Sequence, residues 1–329
     1  MRRREFITLL GGATTWPLAV HAQTEHVRRI GVLMAYPEAD LEAKTLISEF
    51  THSLAALGWM EGGNLRMDVR WAASNLESMR KFAKELVDLQ PDAILANSTP
   101  VTAAVQRETQ TIPIVFAING DPVGSGFVAS LSRPGRNITG LGMFEGSMAS
   151  KWLDLLREIS PGFKRATFMF NPDTAPYISS FLLPSFEAAA AAFEITPSVA
   201  RVHGEGEIAA IITSLGRERG GALLVGPDNF MDIHHRSIIS LATTSNLPAI
   251  YHQPVSARDG GLLSYGADFR DIFHRAARYV ATILRGTRPA ELPVQMPIKY
   301  LLVVNLRTAN QLGLTVPPSM LLSADEVIE

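Results

Sequence analysis

Short apolar runs alternate with amphipathic segments along most of this chain. Arg29–Ala35 reads as a buried strand, followed by a polar loop at Tyr36–Asp40. Leu46, Ile47, Phe50, Leu54 and Leu57 then recur at spacings of three and four, predicting a helix over about 41–57 that Gly58 closes. Leu65, Met67, Val69 and Trp71 alternate with period two, the pattern of a half-buried strand. A helix starts at Ser74 or Asn75 and stops at Pro91; then come the strand "DAILAN", a helix opened by Ser98-Thr99-Pro100, and the strand "IPIVFAI".

The same order is written a second time. Arg165–Phe170 predicts a strand, Tyr177–Phe193 a helix, "TPSVARV" a strand and Glu205–Arg219 a helix. "GALLVG" is a further strand, a helix spans about 230–244, and "LPAIYHQ" closes the copy. "RIGVLMAYPEAD" aligns with "RATFMFNPDTAP", "DAILANSTP" with "GALLVGPDN", and "TIPIVFAI" with "NLPAIYHQ", at offsets of 136, 129 and 135 residues. Strand–helix alternation of this kind builds parallel sheets covered on both faces, with right-handed crossovers. The expectation is α/β: two doubly wound parallel-sheet lobes. After the second copy come a strand at 260–268, a helix at 269–285 with Ile272, Ala276, Tyr279, Val280 and Ile283 on one face, an extended stretch to 305, a short helix ended by Gly313, and a tail of turn plus helix. If this last block is shared, three hinge segments lie near 141–145, 264–267 and 290–294. The lobes are then 28–142 with 266–292, and 143–265 with 293–329.

Composition narrows the function. The 329 residues are 47% hydrophobic and 19% charged, with net charge −2, so no basic field draws nucleic acid. There is no cysteine, hence no disulfide, thiolate metal site or cysteine nucleophile. Residues 1–22 have the anatomy of a signal peptide: Arg2 to Arg4, an apolar stretch from Phe6 to Val20, and Val20-His21-Ala22 before Gln23. Arg3-Arg4-x-Phe6-Ile7 resembles the twin-arginine export motif. The apolar stretch is too short to span a bilayer, and no cysteine follows it to carry a lipid. The expected product is periplasmic, monomeric, not membrane-spanning once processed, and charged −4.

Ligand crevices of open parallel sheets lie at the carboxyl ends of the strands. The polar residues there are Tyr36, Ser98, Thr99, Asn119 and Asp121 in the first copy, and Asn171, Tyr177, Asp228 and Tyr251 in the second. Ser98 and Asp228 are also helix caps, and Asp121 before Pro122 is also a turn residue. Catalytic signatures do not appear. "GSGFVAS" lacks the third glycine of a dinucleotide loop; there is no Walker motif and no G-x-S-x-G elbow. His234 and His235 are adjacent on a helix and point apart, a poor chelate. No catalytic residue, metal site or cofactor is assigned.

"IPIVFAINGDPVGSGFVASLSRPGRNITGL" and "YLLVVNLRTANQLGLTVPPSMLLSADEVI" resemble two blocks of the ABC-transporter substrate-binding proteins of the tryptophan/tyrosine-uptake type. The likeness runs over about residues 28–327, with Arg136 where that family often has glycine. It implies a type I periplasmic-binding-protein fold, a ligand in the interlobe cleft, and an ABC permease and ATPase as partners. Some members of the family take aromatic amino acids. For such a ligand, Ser98 and Thr99 would hold the carboxylate, Asp121 or Asp228 the ammonium, and Tyr36, Tyr177 and Tyr251 the apolar walls. Alternatives are a periplasmic sensor that reports its ligand to a membrane receptor, and an enzyme on the same fold. A DNA-binding regulator would need a helix-turn-helix where this chain has an export signal.

Overall fold

The computed structural model describes residues 27–218 and 220–329; the leader expected at residues 1–22 lies outside them. The first copy forms β1 (Arg28–Met34), α1 (Leu41–Ala56), β2 (Leu65–Trp71), α2 (Leu76–Asp88), β3 (Ala93–Asn97), α3 (Thr99–Glu108), β4 (Ile114–Asn119) and β5 (Ile138–Gly142). The helices begin where side chains can cap them: Asp40 accepts from the Ala43 amide for α1, and Asn75, rather than Ser74, accepts from the Ser78 amide for α2. β5 was not anticipated, because "ITGLG" carries two glycines. It forms because Gly140 fits where a Cβ would fall 2.1 Å from the Phe116 carbonyl oxygen on β4.

The chain then crosses to α4 (Met148–Ile159), β6 (Arg165–Phe170), α5 (Ile178–Phe181), α6 (Leu183–Ala192), β7 (Thr196–Arg201), α7 (Glu205–Arg217), β8 (Gly221–Val225), α8 (Asn229–Ile233), α9 (His235–Thr244), β9 (Ala249–Tyr251), α10 (Pro254–Arg258) and β10 (Leu263–Ala267). Two helices expected as continuous are broken. Pro184 lacks the amide that would continue a helix through Leu182, so α5 and α6 separate there. α8 ends at His234, and the imidazole Nδ1 of His235 sits 2.6 Å from the Asp232 carbonyl.

α11 (Phe269–Leu284) returns to the first sheet, packing on α1, β3, β4 and β5. A strap carries Val294 and Gln295 along that sheet, their amides donating to Leu131 O and Gly140 O. β11 (Tyr300–Asn305), α12 (Leu306–Gln311), α13 (Pro318–Ser323) and β12 (Glu326–Ile328) finish the second. The tail thus ends in a strand beside β11, and not in a helix.

The sheet orders are β2-β1-β3-β4-β5 and β12-β11-β10-β9-β8-β6-β7, so β7-β6-β8-β9-β10 repeats the first order. The registers repeat too. Ile94 faces Ile114 and Leu223 faces Ala249, which preserves the sequence offsets of 129 and 135. The molecule is therefore two α/β lobes crossed three times by the chain, with one antiparallel ladder, β10–β11, in the second. α1 and α11 cover one face of the first sheet and α2 and α3 the other; α4 and α6, and α7 and α9, do the same for the second. One apolar cluster takes in residues of both lobes, Met143, Phe144 and Tyr177 among them.

Candidate functional site

The carboxyl ends of both sheets face each other across one cleft. Tyr36 follows β1, Ser98 lies between β3 and α3, Thr99 opens α3, and Asn119 ends β4. Opposite them stand Asn171 after β6, Tyr177 before α5, Asp228 capping α8, and His252 and Gln253 after β9. Two backbone outliers mark the first-lobe side: Ser98 at φ 90° and Ile118, a β-branched residue, at φ 59°. Such conformations cost about 1–3 kcal/mol each and cluster where loops are shaped for binding.

Between these loops is a small cavity. Ser98, Thr99 and Ile118 form its first-lobe wall, Met143 stands on the crossing segment after β5, and Thr174, Tyr177, Asp228, Asp232 and His252 form its second-lobe wall. The free space is about 10 Å³, enough for roughly one water. Side chains fill the rest. The Tyr177 ring lies over Gly120, where a Cβ would come within 2.3 Å of it, and its phenol donates to the Pro227 carbonyl at 2.5 Å. Tyr36 reaches across to donate to Asp232 Oδ2 at 3.2 Å, while Gln253 Nε2 donates to the same phenol oxygen at 3.2 Å.

The second-lobe wall is acidic, and among the described residues no lysine or arginine lines the cavity. Asp228 is buried and accepts from the amides of Asn171 (2.9 Å) and Met231 (2.8 Å) and from the Thr174 hydroxyl (3.2 Å). Burial nonetheless pushes its carboxyl up to about 6, against the pull of those bonds. Asp232, one helical turn on, is raised well above the usual carboxylate range, first by burial and then by the charge of Asp228. His252 Nε2 lies 3.2 Å from Asp232 Oδ1, and burial lowers its imidazole to about 3. Burial thus disfavours the charged form of both partners, and the other Asp232 oxygen accepts from Tyr36. The first-lobe wall has spare hydrogen-bonding capacity. Ser98 Oγ, Asn97 Nδ2 and both polar atoms of Asn119 are buried without a partner among the described residues.

Of the nine residues singled out in the sequence, Ser98, Thr99, Tyr177 and Asp228 line the cavity itself. Tyr36 joins it through Asp232, Asn171 supports Asp228 from behind, and Asn119 lies beneath the floor, fully buried. Two residues are placed elsewhere. Tyr251 is buried with Ile239 and Ala242 in the apolar core of the second lobe, its ring against Gly261, so it forms no cleft wall. Asp121 caps its own turn, Oδ1 accepting from the Gly124 amide at 2.8 Å, and does not line the cavity. Asp232 was missed: four residues beyond a helix cap, it reads in sequence as a first-turn acid and nothing more. Among the described residues no group of three or more His, Cys, Asp or Glu could hold a metal, and no helix is long and apolar enough to cross a membrane.

Known proteins resemble the chain over nearly its whole length. It is 25% identical over 302 residues to a tyrosine-binding protein of Clostridioides difficile, covering 91% of this chain and 84% of that protein. A conserved domain protein of Vibrio cholerae superposes with a TM-score of 0.84 at 28% identity, over 92% of this chain and 99% of the other. An ABC domain from Streptococcus pneumoniae in complex with L-Trp superposes with the same TM-score of 0.84 at 24% identity, over the same shares. The family model described as ABC transporter substrate binding protein matches residues 39–328. With two parallel-sheet lobes, a polar interlobe site and a match of this extent, the chain belongs to the ABC transporter substrate binding protein family.

Proposed function

We propose that this protein is the periplasmic solute-binding component of an ABC importer and captures an amino acid, of the aromatic class, by closing its lobes on it. One observation carries the reading: polar loops from both sheets converge on a single cavity that Tyr36 and Asp232 bridge from opposite lobes. The Ser98 hydroxyl and the first-turn amides of α3 suit the carboxylate, and Asp228 suits the ammonium. Tyr177 and Met143 supply apolar walls. The ligands named for the C. difficile relative and the S. pneumoniae structure, tyrosine and L-Trp, support an aromatic side chain.

The cavity as it stands is too small for an amino acid, so ligand entry requires the lobes to part or Tyr177 to swing away. The lobes expected at 28–142 with 266–292 and 143–265 with 293–329 would turn on the three crossing segments, with β10 kept in the second sheet through Ala267 and Val294 and Gln295 bonded to the first. A ligand that touches both walls only when they meet shifts the equilibrium toward closure by its differential affinity. The closed shape is then what a permease, driven by its ATPase, would accept. The family's usual extracytoplasmic setting and the leader-like residues 1–22 support a periplasmic location.

Calorimetric titration of the purified protein with tryptophan, tyrosine and non-aromatic amino acids tests this. Saturable binding of an aromatic amino acid, weakened at least about tenfold in Ser98→Ala and in Asp228→Asn, is the expected result. Absence of binding by every amino acid sinks it.

A further inference from the structure

Next to the inner cavity, sharing Thr99 and Pro100 with it, is a larger one of about 280 Å³. Its floor is apolar: Leu76 and Met79 of α2, Ala103 and Ala104 of α3, and Phe127 from the loop after β4. Arg80 stands four residues after Leu76, and Arg107 four after Ala103, so each guanidinium rises from the helical face that supplies the floor. Both arginines are exposed, and neither makes an ion pair or side-chain hydrogen bond to another described residue. The one acid in the lining, Asp173, is bonded to His203, Oδ2 to Nδ1 at 2.7 Å, and that bond raises the imidazole pKa. The compartment therefore presents two uncommitted positive charges over an apolar floor. Its loop is anchored, since Gln106 Nε2 donates to the Gly126 carbonyl at 3.3 Å.

We propose that this outer compartment binds a small organic acid, an aryl or short alkyl carboxylate, with its body on the Phe127 floor and its carboxylate between Arg80 and Arg107. The guanidinium fork matches a carboxylate in two parallel hydrogen bonds, and a weakly hydrated cation beside apolar surface favours an anion that brings an apolar body. At about 280 Å³ the space is just below the usual range of ligand pockets, roughly 300–1,000 Å³; that suits one ring or a short chain. Asp173 and Pro176 belong to the second lobe, so the compartment is complete only when the lobes meet, and its occupant favours the closed form. The inference goes beyond the amino-acid reading, because it needs neither Ser98 nor Asp228.

The test is calorimetric titration with phenylacetate and, as its uncharged counterpart, phenylethanol, on the wild type and on Arg80→Ala/Arg107→Ala. Phenylacetate should bind the wild type at least about tenfold more tightly than the alcohol, and its affinity should fall with added salt. In the double variant phenylacetate should lose at least about tenfold while the alcohol is unchanged. Equal binding of acid and alcohol, wild-type affinity in the double variant, or no saturable binding of phenylacetate overturns the proposal. Aromatic amino acids titrated into the same double variant separate the two sites: retained amino-acid binding with lost phenylacetate binding is the expected pattern. Failure of the inner-site reading shows instead as no amino-acid binding by the wild type, and leaves the phenylacetate result standing.

Discussion

The phenol of Tyr36 donates to the carboxyl of Asp232 at 3.2 Å, joining two lobes through residues 196 positions apart. Gln253, also on the second lobe, donates to the same oxygen. On the proposed reading, in which the lobes part and close, these three side chains would act as a latch on the closed form.

Tyr36→Phe keeps the ring and removes both bonds. A net loss of about 1 kcal/mol from the closed form is expected, which lowers ligand affinity roughly fivefold. Small-angle scattering of the free protein should show a larger radius of gyration. Wild-type affinity and dimensions in this variant would mean that the latch does not bias closure.

Gly120→Ala tests the contact between Gly120 and the Tyr177 ring. The added methyl would meet the Tyr177 ring at 2.3 Å, on a residue whose backbone needs no left-handed conformation. Folding of each lobe should be spared and closure impeded, with ligand affinity down at least about tenfold and thermal stability changed little. A variant that binds as the wild type does would show that Tyr177 moves away freely.

Asp228 and His252 give the protein a pH dependence with opposed signs. The folded pKa of Asp228, about 6, lies above the ordinary carboxylate value, so its burial favours the folded state when protonated; that contribution fades as pH rises from about 4 through 6. An ammonium ligand needs the ionised form, so affinity should fall about tenfold between pH 7 and pH 5, and the fall should vanish in Asp228→Asn. His252 is held neutral, with its imidazole lowered to about 3, so its contribution is present above pH 6.5 and lost as pH falls toward 3. Melting temperatures of His252→Gln should therefore decline less on acidification than those of the wild type.

Trp152 tests the core under the second lobe. It is 2% exposed, its Nε1 donates to the Tyr265 carbonyl at 2.6 Å, and Phe144 packs edge-on at 6.0 Å. Trp152→Ala should cost about 3–5 kcal/mol in urea unfolding. Trp152→Phe, which keeps most of the volume but strands the carbonyl, should cost about 1–3 kcal/mol. A cost near zero for Trp152→Phe would mean that the hydrogen bond adds nothing; equal costs for the two variants would mean that the buried ring volume adds nothing.

The repeat was legible because both copies conserve strand register as well as apolar pattern: the offsets that align "DAILAN" with "GALLVG" also pair Ile94 with Ile114 and Leu223 with Ala249. Local signals also placed the start of α1 after the loop Tyr36–Asp40 and that of α2 at Ser74 or Asn75, of which Asn75 is the cap. What they missed depends on partners distant in sequence. β5 exists because Gly140 fits against Phe116, and β12 because β11 offers an edge. In the site, loop position identified Ser98, Thr99, Tyr177 and Asp228. It could not separate Tyr251, whose side chain turns into the lobe core, from His252, the next residue, which faces the cleft. Alternation along a three-residue strand is too short to tell which neighbour points outward.

α11 covers the first sheet but is encoded after nearly the whole second lobe, as residues 269–284. During synthesis, the apolar face formed by α1, β3, β4 and β5 has no cover until that helix emerges. Neither half can be excised as one continuous fragment with its packing intact. A premature stop near residue 260 would leave both halves unfinished, so the chain reaches its native form late in translation or after it.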